Sequence, residues 1–208
     1  MSVRFLRSFL PWLALSAAWL RADEPRTIVF FGDSLTVGYG LDDPASDAFP
    51  SLIQEKITAA RLPWRTVNAG LSGETTSGGL RRVNWILRQP VDIFVLALGG
   101  NDGLRGIEPA VSQSNLQGII DLVHAKYPAA RIVLAGMQMP PSMGEDYARA
   151  FGAMYPALAA QNHLTLVPFL LAEVGGRPEL NQPDGIHPTA EGHAKVAETV
   201  WKILRPLL

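Results

Sequence analysis

Two proton-handling side chains stand three positions apart near the end of the chain, in the run DGIHP at 184–188. Pro188 keeps His187 out of comfortable helical geometry and holds it in a turn. Asp184, across Gly185, can bend back to accept the Nδ1 proton. That bond fixes the tautomer whose Nε2 is free to take a proton from a hydroxyl, as the acid does in a catalytic triad. A metal site would have to combine Asp184 and His187 with His193 or Asp102, and ligand number and spacing are both poor for one. The other histidines offer less. His124 and His163 fall near helix ends, where a charged ring meets the last carbonyls, and His193 is expected to be solvated within the last helix.

The hydroxyl that fits is Ser34, in GDSLTVGYG (32–40). A serine is a poor nucleophile without a neighbouring base. Taken alone, Ser34 reads as a helix cap with an exposed hydroxyl, and Asp33 as a residue bonded to the backbone of the turn. Acyl transfer also needs donors for the oxyanion on the attacked carbonyl, each worth roughly 2.7–4 kcal/mol of transition-state stabilisation. Gly73 offers a backbone N–H with no side chain in the way, Asn101 offers an amide set among glycines 99, 100 and 103, and the Ser34 N–H makes a third. Each alone is ordinary turn chemistry. Together they gain weight from where the elements put them.

Short apolar runs rich in β-branched and aromatic residues lie at 27–32, 65–70, 92–100, 131–137 and 164–169. Most are apolar almost throughout, as strands buried on both faces must be. Helical periodicity fills the intervals at 47–60, 76–88, 109–126, 143–161 and 189–205, the last with a stripe of Ala190, Ala194, Ala197, Val200, Trp201 and Leu204. The alternation predicts an α/β chain, a three-layer α/β/α sandwich around a five-stranded parallel sheet joined by right-handed crossovers. Such sheets bind ligands beyond the carboxyl ends of their strands. The runs GDSLTVGYG, GLSGET (70–75), GGND (99–102) and DGIHP follow strands one, two, three and five, so four separate loops converge on one sheet edge.

Composition narrows the classes. The 208 residues suffice for one domain, and 48% apolar with 18% charged is globular. A net charge of -1 gives no field to attract nucleic acid, so no nucleic-acid partner is expected. The absence of cysteine removes disulfides, thiolate metal sites and cysteine nucleophiles. At the N-terminus, Arg4 and Arg7 precede an apolar run from about Phe9 to Leu20 with small residues at Ser16, Ala17, Ala18 and Ala22. That order predicts an export signal over 1–22, cleaved after Ala18 or beside Ala22, and a domain over 23–208. The run is short of the roughly 20 apolar residues that span a bilayer, so no membrane span is expected in the mature chain.

The blocks GDSLTVGYG, NAGLSGET (68–75), GGNDGLRG (99–106) and DGIHP, in this order and at this spacing, resemble the four blocks of the SGNH, or GDSL, hydrolase superfamily. The likeness is strongest to its periplasmic branch of thioesterase I, lysophospholipases and arylesterases, and runs from about Thr27 to the C-terminus. It implies a flavodoxin-like strand order 2-1-3-4-5, no cofactor and no metal. It implies Ser34 as nucleophile, Asp184 and His187 as its acid and base, and Ser34, Gly73 and Asn101 as the oxyanion hole. A periplasmic or secreted monomer acting on small ester, thioester or lysolipid substrates is expected. One segment departs from the thioesterase pattern: MQMPPSMGEDYARAF (137–151), with Pro140–Pro141 and three methionines. In the family this loop borders the acyl pocket, so the departure bears on chain length and not on the reaction. Two other readings remain at this stage. One is deacetylation of a carbohydrate or cell-wall polymer. The other is a non-catalytic binder using GETTSGG (73–79), a run that lacks the lysine of a phosphate loop.

Overall fold

The computed structural model describes residues 24–208, and the export signal expected over 1–22 lies outside them. Five strands form one parallel sheet: β1 Arg26–Gly32, β2 Trp64–Gly70, β3 Ile93–Ala97, β4 Arg131–Ala135 and β5 Thr165–Val167. Their order is β2-β1-β3-β4-β5. The central strands are apolar because both faces are covered; β3 is buried at every position and β1 at all but Arg26. The edge strands are less covered: β2 is buried only at Trp64 and Ala69, and β5 stops after three residues.

Helices α1 (Ser34–Val37), α2 (Pro44–Asp47), α3 (Phe49–Ala59), α4 (Thr76–Ile86), α5 (Gly100–Leu104), α6 (Pro109–Lys126), α7 (Glu145–Gln161) and α8 (Ala190–Leu204) complete the chain. The helices α3 and α8 pack together in one layer, while α4, α6 and α7 form a row in the other. Consecutive residues of β1 feed opposite layers. Phe30 meets Phe49 of α3 edge to face at 5.5 Å, and Phe31 lies against Phe94 at 5.4 Å. The stripe expected on α8 is found in part: Ala197, Val200 and Leu204 are fully buried and Trp201 is half-buried, but Ala190 and Ala194 are exposed, and His193 and Val196 face the core in their place.

The structure shortens several expected elements, and local chemistry explains each. The helix expected over 47–60 is α3, which begins only at Phe49 because Ala48 is extended (φ -66, ψ 142) and closes the short α2 before it. The strand expected to reach residue 100 ends at Ala97: Gly99 takes φ 119, a left-handed value open to glycine, and α5 begins at Gly100. The last strand stops at Val167, before Pro168, which has no N–H to donate to a ladder. The helix expected from 143 begins at Glu145 after a 3₁₀ turn over Pro141–Met143.

Gly99 starts the turn that carries Asn101. A Cβ there would sit 2.2 Å from the hydroxyl of Tyr155, which is fully buried and donates to the Leu98 carbonyl at 3.1 Å. Gly99→Ala should therefore lower unfolding stability by about 2–4 kcal/mol, the sum of backbone strain and overpacking. Urea unfolding of the two proteins measures it; a loss under about 1 kcal/mol would mean that Tyr155 moves aside at little cost.

Candidate active site

The turn that holds His187 is built from its own neighbours. Asp184 Oδ1 accepts the backbone N–H groups of Ile186 (2.9 Å) and His187 (3.0 Å), and Gly185 turns the chain at φ 69. Gln182 N–H donates to the His187 carbonyl at 2.7 Å, and Asn181 forms an antiparallel bridge to Pro188. Buried Asn181 ties the loop down by donating to the carbonyls of Val174 and Arg177. Thr189 then caps α8 through the Gly192 N–H.

The second oxygen, Asp184 Oδ2, lies 2.7 Å from His187 Nδ1, and His187 Nε2 lies 2.9 Å from Ser34 Oγ. Desolvation works against ionising Asp184, but the His187 backbone N–H, the His187 ring and the Ile186 N–H outweigh it and hold the carboxyl at about 2. A carboxylate can only accept, so Nδ1 carries the proton and, in the neutral ring, Nε2 accepts from the Ser34 hydroxyl. Residues 153 positions apart thus share one hydrogen-bonded line.

Ser34 is the first residue of α1 and not its cap. Asp33 takes the cap, accepting the Leu35 N–H at 3.0 Å. The Ser34 hydroxyl expected to be exposed belongs to a residue only 9% exposed, because the His187 loop closes over it. Asp33 is buried, and its second oxygen takes Asn101 Nδ2 at 3.3 Å. Burial pushes Asp33 up to about 6, against the lowering effect of the Leu35 N–H, Asn101 and His187. Asn101 Nδ2 also donates to the Glu74 carbonyl at 3.1 Å, which joins the loop after β3 to the Gly73 loop after β2. The N–H groups of Ser34 and Gly73 find no acceptor among the hydrogen bonds of the described residues. The Gly73 carbonyl accepts from Arg105 Nη2 at 3.2 Å.

A cleft of about 630 Å³ opens from Ser34, Asn101 and His187, within the range of small-ligand pockets. Its walls are largely apolar: Leu104, Met137, Met139, Pro140, Pro141 and Ile186, facing Phe169 and Leu171. Met137 and Met139 are at once core and wall, each 8% exposed, whereas Met143 lines nothing here. Sequence reasoning missed the wall contributed by 169–176, an irregular stretch with no motif to mark it.

Two residues weighed as metal ligands are committed elsewhere. Asp102 is fully buried and accepts from Thr76 N (2.8 Å), Thr76 Oγ1 (2.5 Å) and Ser112 Oγ (3.2 Å), fastening α5 to α4. His193 is not solvated but 1% exposed, with Nδ1 accepting the Phe49 N–H at 3.3 Å. The periodicity of α8 does not show this, because the burial comes from α3, whose Phe49 N–H needs an acceptor there. Desolvation lowers His193 to about 4, with the charge on His187 adding to the shift. The GETTSGG run is likewise absorbed, with Thr75 capping α4 and Glu74 paired with Arg82.

Residues 30–195 match the model of the GDSL-like Lipase/Acylhydrolase family. The chain belongs to that family. As a GDSL-like acylhydrolase it is an ester hydrolase, and its relatives agree. It is 40% identical over 184 residues to "Esterase TesA" of Pseudomonas aeruginosa, covering 88% of this chain and 90% of that one. It is 37% identical over 207 residues to "Thioesterase 1/protease 1/lysophospholipase L1" of Escherichia coli (strain K12), covering 97% and 94%. The crystal structure of TesA superposes with a TM-score of 0.82 at 40% identity, over 88% of this chain and all of that one.

Asp33 and His193 shift in opposite senses, which gives a test of both environments. Asp33, raised from 3.8 to about 6, contributes stability that is full below pH 3.8 and lost as pH rises through 6. His193, lowered from 6.5 to about 4, contributes stability that is full above pH 6.5 and lost as pH falls through 4. Between pH 4 and 6 the two slopes oppose each other in the wild type. Asp33→Asn should leave a stability that rises with pH by about 1–3 kcal/mol, and His193→Gln one that falls comparably. Urea unfolding at pH 4.5 and 6.5 measures both; identical pH dependence in all three proteins would refute the shifts.

Proposed function

We propose that this acylhydrolase cleaves carboxylic esters and thioesters through an acyl-enzyme on Ser34. The observation that supports this reading is the line Ser34 Oγ–His187 Nε2, His187 Nδ1–Asp184 Oδ2 at the mouth of an apolar cleft. In this scheme His187 Nε2 takes the hydroxyl proton as Ser34 Oγ bonds to the acyl carbon. The N–H groups of Ser34 and Gly73 and the Asn101 amide receive the oxyanion, and the longer Asn101–Asp33 bond is the one that yields. The imidazolium then passes its proton to the leaving oxygen or sulfur. Water, deprotonated by the same nitrogen, releases the acid and restores Ser34. Every atom is supplied by ester, water and these side chains.

Aryl esters, acyl thioesters and lysophospholipids are the substrates put forward, in keeping with the names carried by the relatives. The cleft walls favour an acyl chain over an acetyl group on a polar polymer. Export to the periplasm or beyond, as a monomer cut after Ala18 or beside Ala22, is part of the proposal. It draws on the charged, apolar, small-residue order of residues 1–22. Among the described residues no helix is long and apolar enough to cross a membrane.

Ser34→Ala should lower kcat/KM for an aryl ester by at least about 10⁴-fold. Unfolding stability should change by about 1 kcal/mol or less, the worth of one hydrogen bond. A phosphonate ester should label Ser34 alone. Asp184→Asn should cost about 10⁴-fold by favouring the wrong tautomer, and EDTA should leave activity unchanged. Label on another serine, or activity lost to EDTA and restored by a divalent ion, would sink the scheme.

Acyl length is a separate expectation. Each methylene buried along the Met137–Pro141 wall adds at most roughly 0.8 kcal/mol, or about fourfold in binding. Pro140 and Pro141 stiffen that wall, so kcat/KM should climb over the first several carbons and then level, favouring short and medium chains. Aryl esters from acetate to palmitate, run on wild type and a Pro140→Ala, Pro141→Ala variant, provide the measurement. An optimum at palmitate, or a profile indifferent to the loop change, would count against it.

A further inference from the structure

The stretch that carries Ser34 also brings an aromatic ring back beside His187. Directly after α1, Tyr39 N–H donates to the Ser34 carbonyl at 3.0 Å. The Tyr39 ring centroid lies 4.7 Å from that of His187, with the planes inclined at 48°. Tyr39 is 53% exposed, so burial alone does not account for its position. A brace does. Gln182 Nε2 donates to the Tyr39 carbonyl at 2.8 Å and to the Pro188 carbonyl at 3.0 Å, while Gln182 N–H donates to the His187 carbonyl. One side chain therefore fastens the Tyr39 loop to the His187 loop.

Both ring nitrogens of His187 are engaged, by Asp184 and Ser34. Only the faces of the ring remain for other partners. The titratable groups around it are Asp184 in contact, Asp33 behind Ser34, His193 at the start of α8, and Tyr39 itself. Among these Tyr39 alone offers an aromatic surface at contact distance.

We propose that Tyr39 is a positioning residue for acyl transfer: its ring holds the imidazole in the plane shared by Asp184 and Ser34 and favours the imidazolium formed when Ser34 is deprotonated. The proton moves from Ser34 Oγ to His187 Nε2, and Tyr39 gains or loses no bond. An aromatic quadrupole attracts a cation within about 6 Å of the ring centroid and gives little to a neutral ring. The contact is therefore stronger in the transition state than before it, the condition for raising kcat and not only binding. The inference rests on the Ser34–His187–Asp184 reading above.

The test compares wild type, Tyr39→Phe, Tyr39→Leu and Ser34→Ala on phenyl butyrate and methyl butyrate across pH. Tyr39→Phe should keep the wild-type profile, since it keeps the ring. Tyr39→Leu should move the acid limb of kcat/KM down by roughly 0.4–0.7 pH unit and lower kcat about two- to fivefold on both esters, with KM nearly constant. An acid limb that stays in place in Tyr39→Leu overturns the inference. So does a loss confined to KM for the phenyl ester, which would make Tyr39 a leaving-group contact, or a phenylalanine variant that behaves like leucine. An active Ser34→Ala protein removes the underlying reading and this inference with it. An inactive one, with the limb unmoved in Tyr39→Leu, removes this inference alone.

Discussion

The site depends first on the register of the parallel sheet. Gly32 pairs with both Gly70 and Ala97, and Ala135 pairs with Val167 one strand further on. The carboxyl ends of the strands therefore finish at nearly one level, and the loops that leave them begin side by side. Parallel pairing puts every such loop on the same edge, and the step from β1 to β3 in the strand order opens a crevice there. A slip of one residue in β1 would exchange the environments of Phe30 and Phe31 and withdraw Ser34 from His187. The hydrophobic layers that fix this register are thus also what set the distance from Ser34 to His187.

Above that edge the loops are held by polar bonds more than by burial. Asp102 fastens α5 to α4, Asn101 joins the loops after β2 and β3, and Gln182 joins those after β1 and β5. Asp33 belongs to the same frame. It costs the fold a desolvated carboxyl and in return caps α1 and holds the Asn101 amide. In the proposed reaction a serine protected in this way would need little reorganisation when a carbonyl arrives, the setting in which fixed dipoles count most. The acyl side has a different character. Methionines, prolines, phenylalanine and leucine build that wall of the cleft, so under the proposed reaction it would discriminate by length and shape and not by charge.

Much of this was legible in the chain. Buried strands betray themselves by unbroken apolar runs, and their alternation with helical periodicity leaves one architecture; the strand order followed from the family resemblance. The residues that the structure gathers, Ser34, Asn101, Asp184 and His187, stood out as unusual types just after strand ends. Boundaries were less legible. Nothing in the local pattern of 47–60 says that Ala48 turns extended, and the apolar Leu98 disguises the end of β3 before Gly99 reverses the backbone.

What the sequence determined by itself is whatever depends on neighbours in the chain. That covers the periodicity of each element, the Asp184–Gly185–Ile186–His187 turn, and the bond of Asp33 to the backbone of its own turn. What the tertiary structure alone decided depends on partners far apart in sequence. His193 looks solvated until α3 brings the Phe49 N–H against it, and Ser34 looks exposed until a loop 153 residues later covers it. Tyr39 is an unremarked aromatic among glycines until Gln182, 143 residues on, pins it beside His187. Burial, pKa and ring contact are properties of surroundings, and at these positions the surroundings come from packing across the fold.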